Sequence, residues 1–224
     1  MPTMKNDTDN TSASEFVIVI GREYGSGGRR IGKRLADELG VRYYDKSLLS
    51  EAASKLGYSP EIFEHKDERR PSLIRSLLSF TYGAQTAEIN NQTLSDEKIY
   101  EFQSRVIRDI CRHEPCVIVG RTADYIMRDH PGLISLFVHA PIERRIDAIL
   151  ARGETDDREK ARETADHIDR NRESYYNYYT NSNGWGRARN YHLTFDSSVI
   201  GDNEIAQFVR SIIESRRAGA KKKI

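Results

Sequence analysis

The sequence predicts an α/β fold of three layers, in which helices cover both faces of a five-stranded parallel sheet. Five short apolar stretches alternate with segments of helical periodicity along the 224 residues, and two of them, FVIVI and CVIV, are continuously apolar. A strand covered by helices on both faces requires such a run. Alternating strands and helices imply right-handed crossovers and a ligand crevice at the carboxyl ends of the strands.

The individual elements follow from periodicity and stop signals. The predicted strands cover residues 16–20, 41–44, 116–119, 133–139 and 191–195. The predicted helices cover residues 29–39, 46–56, 96–113, 122–128, 142–152, 157–179 and 204–216. Gly40, Gly57 and Gly153 each follow the last periodic residue of a helix, where a left-handed cap is expected.

The chain length favours one α/β core with an inserted segment. We expect a single domain over residues 15–218, because residues 1–14 are polar enough to form a disordered tail and residues 219–224 form a short basic tail. The long interval at residues 46–115 carries helical signals until the third strand, and its part at 69–93 is less regular.

Composition gives no reason to expect nucleic acid or a membrane as a partner. The net charge is only +1 although 31% of the residues are charged, so no overall field selects nucleic acid or a membrane. No apolar run approaches the roughly 20 residues of a membrane span. Cys111 and Cys116 are too close in sequence to be a disulfide framework and lack metal-ligand spacing, so we interpret them as core thiols of a cytoplasmic protein.

A glycine-rich turn follows the first predicted strand directly. The segment GREYGSGGRRI covers residues 21–31, and Ile31, Leu35 and Leu39 continue it at helical spacing. Glycines let the backbone approach a phosphate closely, and a helix start presents unpaired N–H groups and a positive dipole end. The turn therefore predicts a phosphate site. Its candidate residues are Gly25, Ser26, Gly27, Gly28, Arg29 and Arg30.

The turn departs from the G-x-x-x-x-G-K-[ST] pattern. When residues 25–27 are aligned with it, Gly28 takes the lysine position and Arg29 and Arg30 take the Ser/Thr positions. A guanidinium from either arginine would supply the lysine charge and bind phosphate oxygens in a bidentate manner, but neither can ligate Mg²⁺. The alternative is a plain helix start without a ligand.

A dinucleotide-binding turn of the short-chain dehydrogenase type is a second alternative. Gly21, Gly25 and Gly27 fit its spacing, and Asp45 lies where a ribose partner is expected. Those enzymes use a tyrosine with a lysine four residues later, and no tyrosine of this sequence has a lysine at that offset.

Six segments together resemble the cytidylate kinase-like family of P-loop nucleoside monophosphate kinases. They are GREYGSGGRRIGKRLADELG, YYDKSLL, VIVGR, LFVHAPIERRI, DRNRESYYNYY and YHLTFDSS. The resemblance implies a P-loop NTPase-like fold, ATP as phosphoryl donor with Mg²⁺, and an acceptor of the (deoxy)cytidine monophosphate type. It also implies that residues 46–115 contain the acceptor site and that residues 154–182 form a lid.

Arginines provide the predicted catalytic groups, because phosphoryl transfer needs positive charge around the moving phosphate. Arg121 follows the third strand and is expected in the crevice, where the resemblance implies contact with the acceptor phosphate. Arg170 and Arg172 match the lid arginines of the family, and Arg162 is a further candidate for substrate binding. A solvated helix with internal salt bridges is the alternative for this segment.

Acceptor contacts are expected after the second strand. Asp45 and Ser47 are candidates for the ribose or base, although Asp45 would equally well cap a helix. Glu51 lies where the family has an arginine, which leaves the identity of the acceptor open. We therefore consider a kinase, a catalytically weak or silent nucleotide-binding module, and an NAD(P)-dependent dehydrogenase.

Overall fold

All five predicted strands form, and they build one parallel sheet. The structure is a computed structural model and describes residues 14–45 and 96–221. The strands are β1 (Val17–Arg22), β2 (Arg42–Tyr44), β3 (Cys116–Val119), β4 (Leu133–His139) and β5 (Leu193–Asp196). Their order in the sheet is β2-β3-β1-β4-β5, and every neighbouring pair is parallel. The predicted α/β class and parallel sheet are thus confirmed.

Helices cover both faces of this sheet. They are α1 (Gly28–Leu39), α2 (Asp96–His113), α3 (Ala123–Ile126), α4 (Ile142–Ala151), α5 (Arg158–Thr180) and α6 (Asp202–Lys221). Gly40 and Gly153 have φ angles of 65° and 70°, so both predicted left-handed stops are confirmed. The predicted helix at 46–56, Gly57 and the segment at 69–93 lie outside the described residues, as do residues 1–13 and 222–224.

The two faces of β1 bury different clusters. Ile18 and Ile20 pack with residues of α1 and α6, whereas Val17 and Val19 pack with residues of α2 and α3. All four side chains are at most 1% exposed. This double burial explains why FVIVI has no alternation of apolar and polar residues.

Strand β1 is longer than the sequence predicts. It continues through Gly21 and Arg22, which pair with Phe137 and Val138 of β4. The apolar run ends at Ile20, but the backbone ladder with β4 does not depend on side-chain polarity and carries the strand two residues further. Arg22 therefore belongs to the rigid strand rather than to the turn.

Smaller differences arise at other element ends. Strand β5 begins at Leu193, because Ala188–Asn190 forms a 3₁₀ turn that delays the start of pairing. Helix α3 has only four residues, and α6 continues to Lys221, five residues beyond the predicted end at 216.

Within residues 14–45 and 96–221, no helix has both the length and the hydropathy to cross a membrane.

Candidate functional site

The glycine-rich turn lies at the switch point of the sheet. β1 and β3 are neighbours, but the connection after β1 leads to β2 on one side and the connection after β3 leads to β4 on the other, so the two leave in opposite directions. In parallel α/β sheets, this place forms the ligand crevice. Residues 23–27 of the turn therefore lie where the topology predicts a binding site.

The backbone of the turn requires glycine and leaves a helix start available to an anion. Gly25 and Gly27 have φ angles of 84° and 83°, which other residues adopt only with strain. A methyl group on Gly25 would also lie 2.8 Å from the carbonyl oxygen of Arg145. Helix α1 has no side-chain cap from Gly27 and no acidic residue in its first turn. Its first N–H groups therefore favour phosphate oxygens.

The buried side chain of Ser26 stabilises the turn through hydrogen bonds to backbone carbonyl groups. Its hydroxyl lies 2.9 Å from the carbonyl oxygen of Glu23 and 3.0 Å from that of Val138, and the residue is 3% exposed. Ser197 donates a hydrogen bond of 2.6 Å to the carbonyl oxygen of Ser26. The side chain of Ser26 therefore holds the turn on β4, and any contact of this residue with a ligand would use its backbone.

The two arginines after the glycines are paired with carboxylates. Arg29 Nη2 lies 2.5 Å from Asp45 Oδ2, with the Arg29 side chain 74% exposed and that of Asp45 only 9%. Arg30 pairs with Asp202 at the start of α6. Both guanidinium groups already have negative partners, so much of their charge is unavailable to a phosphate.

Arg22 was not among the residues expected from the sequence, yet it points across the crevice. A methyl group on Gly28 would lie 2.6 Å from the Cβ of Arg22, and a methyl group on Gly120 would collide with its Nη1 atom. The Arg22 side chain therefore runs from the end of β1, past the start of α1, to the end of β3.

Arg121 lies on an unusual backbone turn after β3. Gly120, Arg121 and Thr122 have φ angles of 84°, 65° and 51°, so three successive residues are left-handed. The Thr122 hydroxyl donates a hydrogen bond of 2.6 Å to the carbonyl oxygen of Arg121. Left-handed backbone at residues other than glycine is strained, and such strain is concentrated at functional sites.

Arg22, Arg121 and Arg172 form what we call the arginine cluster. Burial lowers the pKa of all three guanidinium groups, and the charges of Arg172 and Arg121 lower the pKa of Arg22 further. In the part of the chain that the structure describes, Arg22 and Arg121 form no ion pair. Partly buried cations without carboxylate partners are costly, and a bound anion would offset that cost.

Asp169 connects the third arginine to the turn. Its carboxylate accepts hydrogen bonds from the backbone N–H of Tyr24 at 2.8 Å and from Arg145 Nη1 at 2.6 Å. Arg172 Nη1 lies 3.2 Å from Asp169 Oδ1 and 3.2 Å from the carbonyl oxygen of Arg22. Helix α5, the expected lid segment, is therefore docked on the glycine-rich turn.

The remaining predicted residues lie apart from the arginine cluster. Arg162 pairs with Glu143 on α4, which also binds Arg158 at 2.9 Å. Arg170 is exposed on α5. Ser47 lies outside the described residues. The structure thus brings Arg121 and Arg172 together at the turn, and it places Arg162 and Arg170 on the outer part of α5.

The tyrosines of α5 pack mainly against protein. Tyr175 and Tyr176 are buried, and the Tyr176 hydroxyl donates a hydrogen bond of 2.8 Å to Asp124. The rings of Tyr179 and Tyr100 stack with centroids 4.0 Å apart. This packing attaches the second half of α5 to α2 and α3.

Sequence reasoning missed Arg22, Arg145 and Asp169. Arg22 follows an apolar run and precedes the glycines, so it reads as part of a loop. The signal that could have revealed it is Gly28, because a small residue in the lysine position leaves room for another side chain. Arg145 and Asp169 carried no such signal, since α4 and α5 each contain several charges of both signs.

The described residues do not reproduce a P-loop magnesium site. Arg29 and Arg30 take the positions of the usual hydroxyl ligand, and neither can ligate a cation. Among residues 14–45 and 96–221, no group of three or more His, Cys, Asp or Glu side chains is arranged to hold a metal ion.

Comparison with known proteins gives one family match and several similar solved structures. The model of the cytidylate kinase-like family matches residues 17–199. An uncharacterized protein from Eubacterium ventriosum ATCC 27560 is 25% identical with a TM-score of 0.66, over 90% of this chain and 99% of that chain. A shikimate kinase from Acinetobacter baumannii is 16% identical with a TM-score of 0.47, over 91% and 94% of the two chains. A gluconokinase from Sinorhizobium meliloti 1021 is 16% identical with a TM-score of 0.41, over 68% and 74%. No curated protein matches significantly.

Proposed function

This chain belongs to the cytidylate kinase-like family, and we propose that it transfers the γ-phosphoryl group of ATP to a small acceptor, a (deoxy)cytidine monophosphate-type nucleotide. The observation that carries the proposal is the arginine cluster beside the glycine-rich turn. A site that moves a phosphoryl group needs several positive groups around it, because positioning and charge neutralisation supply most of the catalysis.

The turn is the proposed donor site. The N–H groups at the start of α1 would bind the ATP phosphates, with Gly25 and Gly27 allowing close approach of the backbone. Arg29 and Arg30 lie at the same helix start and would contribute their remaining positive charge. Mg²⁺ would accompany ATP and supply further positive charge, although the Ser26 hydroxyl is bonded to backbone carbonyls and Arg29 and Arg30 take the positions of the usual hydroxyl ligand.

The transfer itself requires no protein nucleophile. An oxygen of the acceptor phosphate forms a bond to the γ-phosphorus, the bond from that phosphorus to the β–γ bridging oxygen breaks, and ADP leaves with the electron pair. Negative charge spreads over the transferring oxygens during this step. Arg22, Arg121 and Arg172 would stabilise that charge, and Arg172 would do so from the lid helix.

Asp45 and Arg121 support an acceptor site at the β2 and β3 side of the crevice. The Asp45 carboxylate is 9% exposed, and its charge acts on the Arg121 guanidinium. Arg121 would bind the acceptor phosphate, while Asp45 and Ser47 would contact the ribose or base. A carboxylate suits hydroxyl and amino donors of a cytidine nucleotide.

Transfer from γ-labelled ATP to a panel of acceptors tests the proposal. The panel consists of CMP, dCMP, UMP, AMP and, as an acceptor of different chemistry, shikimate. We expect label on CMP or dCMP. Arg121→Ala should lower kcat by about 10²-fold, because one charge-stabilising group is lost. Arg158→Ala removes an arginine that is paired with Glu143 and Asp147 on the outer surface, and it serves as the matched control.

A catalytically silent nucleotide-binding module is the second candidate, and the absence of the lysine and hydroxyl from the turn favours it. Its signature is saturable ATP binding with no transfer to any acceptor. That result would overturn the kinase proposal. Transfer to shikimate alone would keep the phosphotransferase and refute the nucleotide acceptor.

A further inference from the structure

The space that a lysine side chain at position 28 would need is occupied by the side chain of Arg22. A methyl group on Gly28 would lie 2.6 Å from Arg22 Cβ, 3.1 Å from Arg22 Cγ and 3.4 Å from Val138 Cβ. A lysine at residue 28 and the observed Arg22 side chain would therefore exclude each other. The glycine at this position leaves room for an arginine that comes from the strand.

A second glycine extends the same path. Gly120, at the end of β3, faces the guanidinium of Arg22, and a methyl group there would collide with Nη1 and lie 3.1 Å from Cζ. β1 and β3 are paired in parallel with Ile20 opposite Val119, so Gly120 lies beside the end of β1. Gly28 at the start of α1 and Gly120 directly after β3 thus contact the two ends of the Arg22 side chain.

Arg22 also differs from the other arginines of the turn in its partners. Arg29 is paired with Asp45, and Arg30 is paired with Asp202. Within the described ranges, Arg22 forms no ion pair, and its charged neighbours are Arg121, Arg172 and, as the one carboxylate among them, Asp169. Of the three arginines, Arg22 is the one without a carboxylate at ion-pair distance in these ranges.

We propose that Arg22 replaces the missing lysine of the turn and that its guanidinium binds the β- and γ-phosphate oxygens of the nucleoside triphosphate. The inference rests on the proposed donor site, because it assumes that a triphosphate lies at the start of α1. An arginine can do this from the strand because its side chain is long and its planar group binds two phosphate oxygens at once. Gly28 is then the necessary counterpart of Arg22.

Binding measurements test the proposal separately from catalysis. Calorimetric titrations with ATP and with inorganic tripolyphosphate measure the dissociation constants of the original protein, Arg22→Ala and the surface control Arg158→Ala. We expect Arg22→Ala to weaken both ligands by about 10- to 100-fold, the effect of losing a charged hydrogen-bond pair. Circular dichroism and thermal unfolding verify that each variant is folded. Unchanged binding by folded Arg22→Ala would overturn the inference.

An exchange of positions gives a sharper test. Gly28→Lys alone should weaken binding, because the new side chain collides with Arg22. The double variant Arg22→Gly with Gly28→Lys removes the Cβ that the new side chain would meet and moves the charge back to the helix, so it should restore ATP binding to within about tenfold of the original protein. A folded double variant that binds as weakly as Arg22→Ala would show that the two positions do not substitute for each other.

The outcomes separate this inference from the proposed function. Binding of ATP that depends on Arg22, without transfer to any acceptor, would support the inference and refute the kinase. Transfer that persists at full rate and affinity in Arg22→Ala would support the kinase and refute the inference. An original protein that binds neither ATP nor tripolyphosphate would refute both.

Discussion

The carboxylate of Asp169 on α5 accepts a hydrogen bond of 2.8 Å from the backbone N–H of Tyr24 in the glycine-rich turn. The same carboxylate lies 2.6 Å from Arg145 Nη1 and 3.2 Å from Arg172 Nη1. One side chain therefore joins α5, the turn and α4. Any movement of α5 relative to the turn must break these bonds, so Asp169 couples the position of Arg172 to the glycine-rich turn.

We predict that Asp169→Asn lowers the free energy of unfolding by about 3 kcal/mol. The amide oxygen can still accept from Tyr24, but Arg172 loses its carboxylate partner and Arg145 keeps only Glu23 at 3.4 Å, while the side chains are only 10% (Arg145) and 15% (Arg172) exposed. Urea unfolding measures the change. Glu154→Gln is the control, because Glu154 accepts only exposed hydrogen bonds, from Tyr24 and Arg152, and the variant should lose less than about 1 kcal/mol. Equal, small losses in both variants would contradict the coupling.

Gly120→Ala should impair phosphate binding more than its backbone strain explains. Gly120 and Gly40 both have positive φ, at 84° and 65°, but a methyl group meets Arg22 at Gly120 and meets nothing within 4 Å at Gly40. Each substitution should cost about 1–2 kcal/mol of stability from strain. Only Gly120→Ala should also weaken the binding of tripolyphosphate, because it displaces the Arg22 guanidinium. Equal affinities in the two variants would separate Arg22 from the phosphate site.

The strands could be predicted because their signals are local. FVIVI and CVIV are apolar throughout, and Gly40 and Gly153 mark helix ends within one turn of the last apolar residue. The extension of β1 to Arg22 was not predictable in this way, because it depends on pairing with Val138, which is far away in the chain. The end of a strand is decided by its neighbour in the sheet as well as by its own residues.

The site was predictable where topology alone decides it. Arg121 follows a buried strand, and the carboxyl ends of parallel strands meet at one edge, so its place at the crevice follows from order in the chain. The partners of Arg29, Arg30 and Asp169 were not predictable, because each pair joins residues on separate elements. Choosing between several arginines on one helix requires the packing of that helix.

Asp124 should make the stability of the protein depend on pH. Burial raises the pKa of this carboxyl from 3.8 to about 6, although the hydrogen bond from Tyr176 acts in the opposite direction. The folded protein then holds the proton more tightly than the unfolded chain. The contribution of Asp124 to the free energy of unfolding is therefore fully present below about pH 4. It is lost as the pH rises through 6, by roughly 3 kcal/mol in total.

Asp124→Asn tests this dependence. The amide remains neutral and keeps an oxygen that can accept the hydrogen bond from Tyr176. We expect the variant to match the original protein near pH 4 and to be more stable at pH 7 by up to about 3 kcal/mol. The difference between their urea unfolding free energies at each pH is the measurement. Asp129→Asn, at a side chain that is 88% exposed, should show no such trend. A difference that does not change between pH 4 and pH 7 would contradict the prediction.

Cys111 and Cys116 should react with a thiol reagent only when the protein unfolds. Their sulfur atoms lie 3.8 Å apart, both residues are buried, and they are the only cysteines of the sequence. The hydrogen bond with Cys111 and burial raise the pKa of the Cys116 thiol, so the reactive thiolate is suppressed. We expect negligible labelling of the folded protein at pH 8 and two labelled thiols in urea. Ser215→Cys adds a thiol at an exposed position of α6 and should label at once. Rapid labelling of the unmodified folded protein would show that these thiols are not part of a closed core.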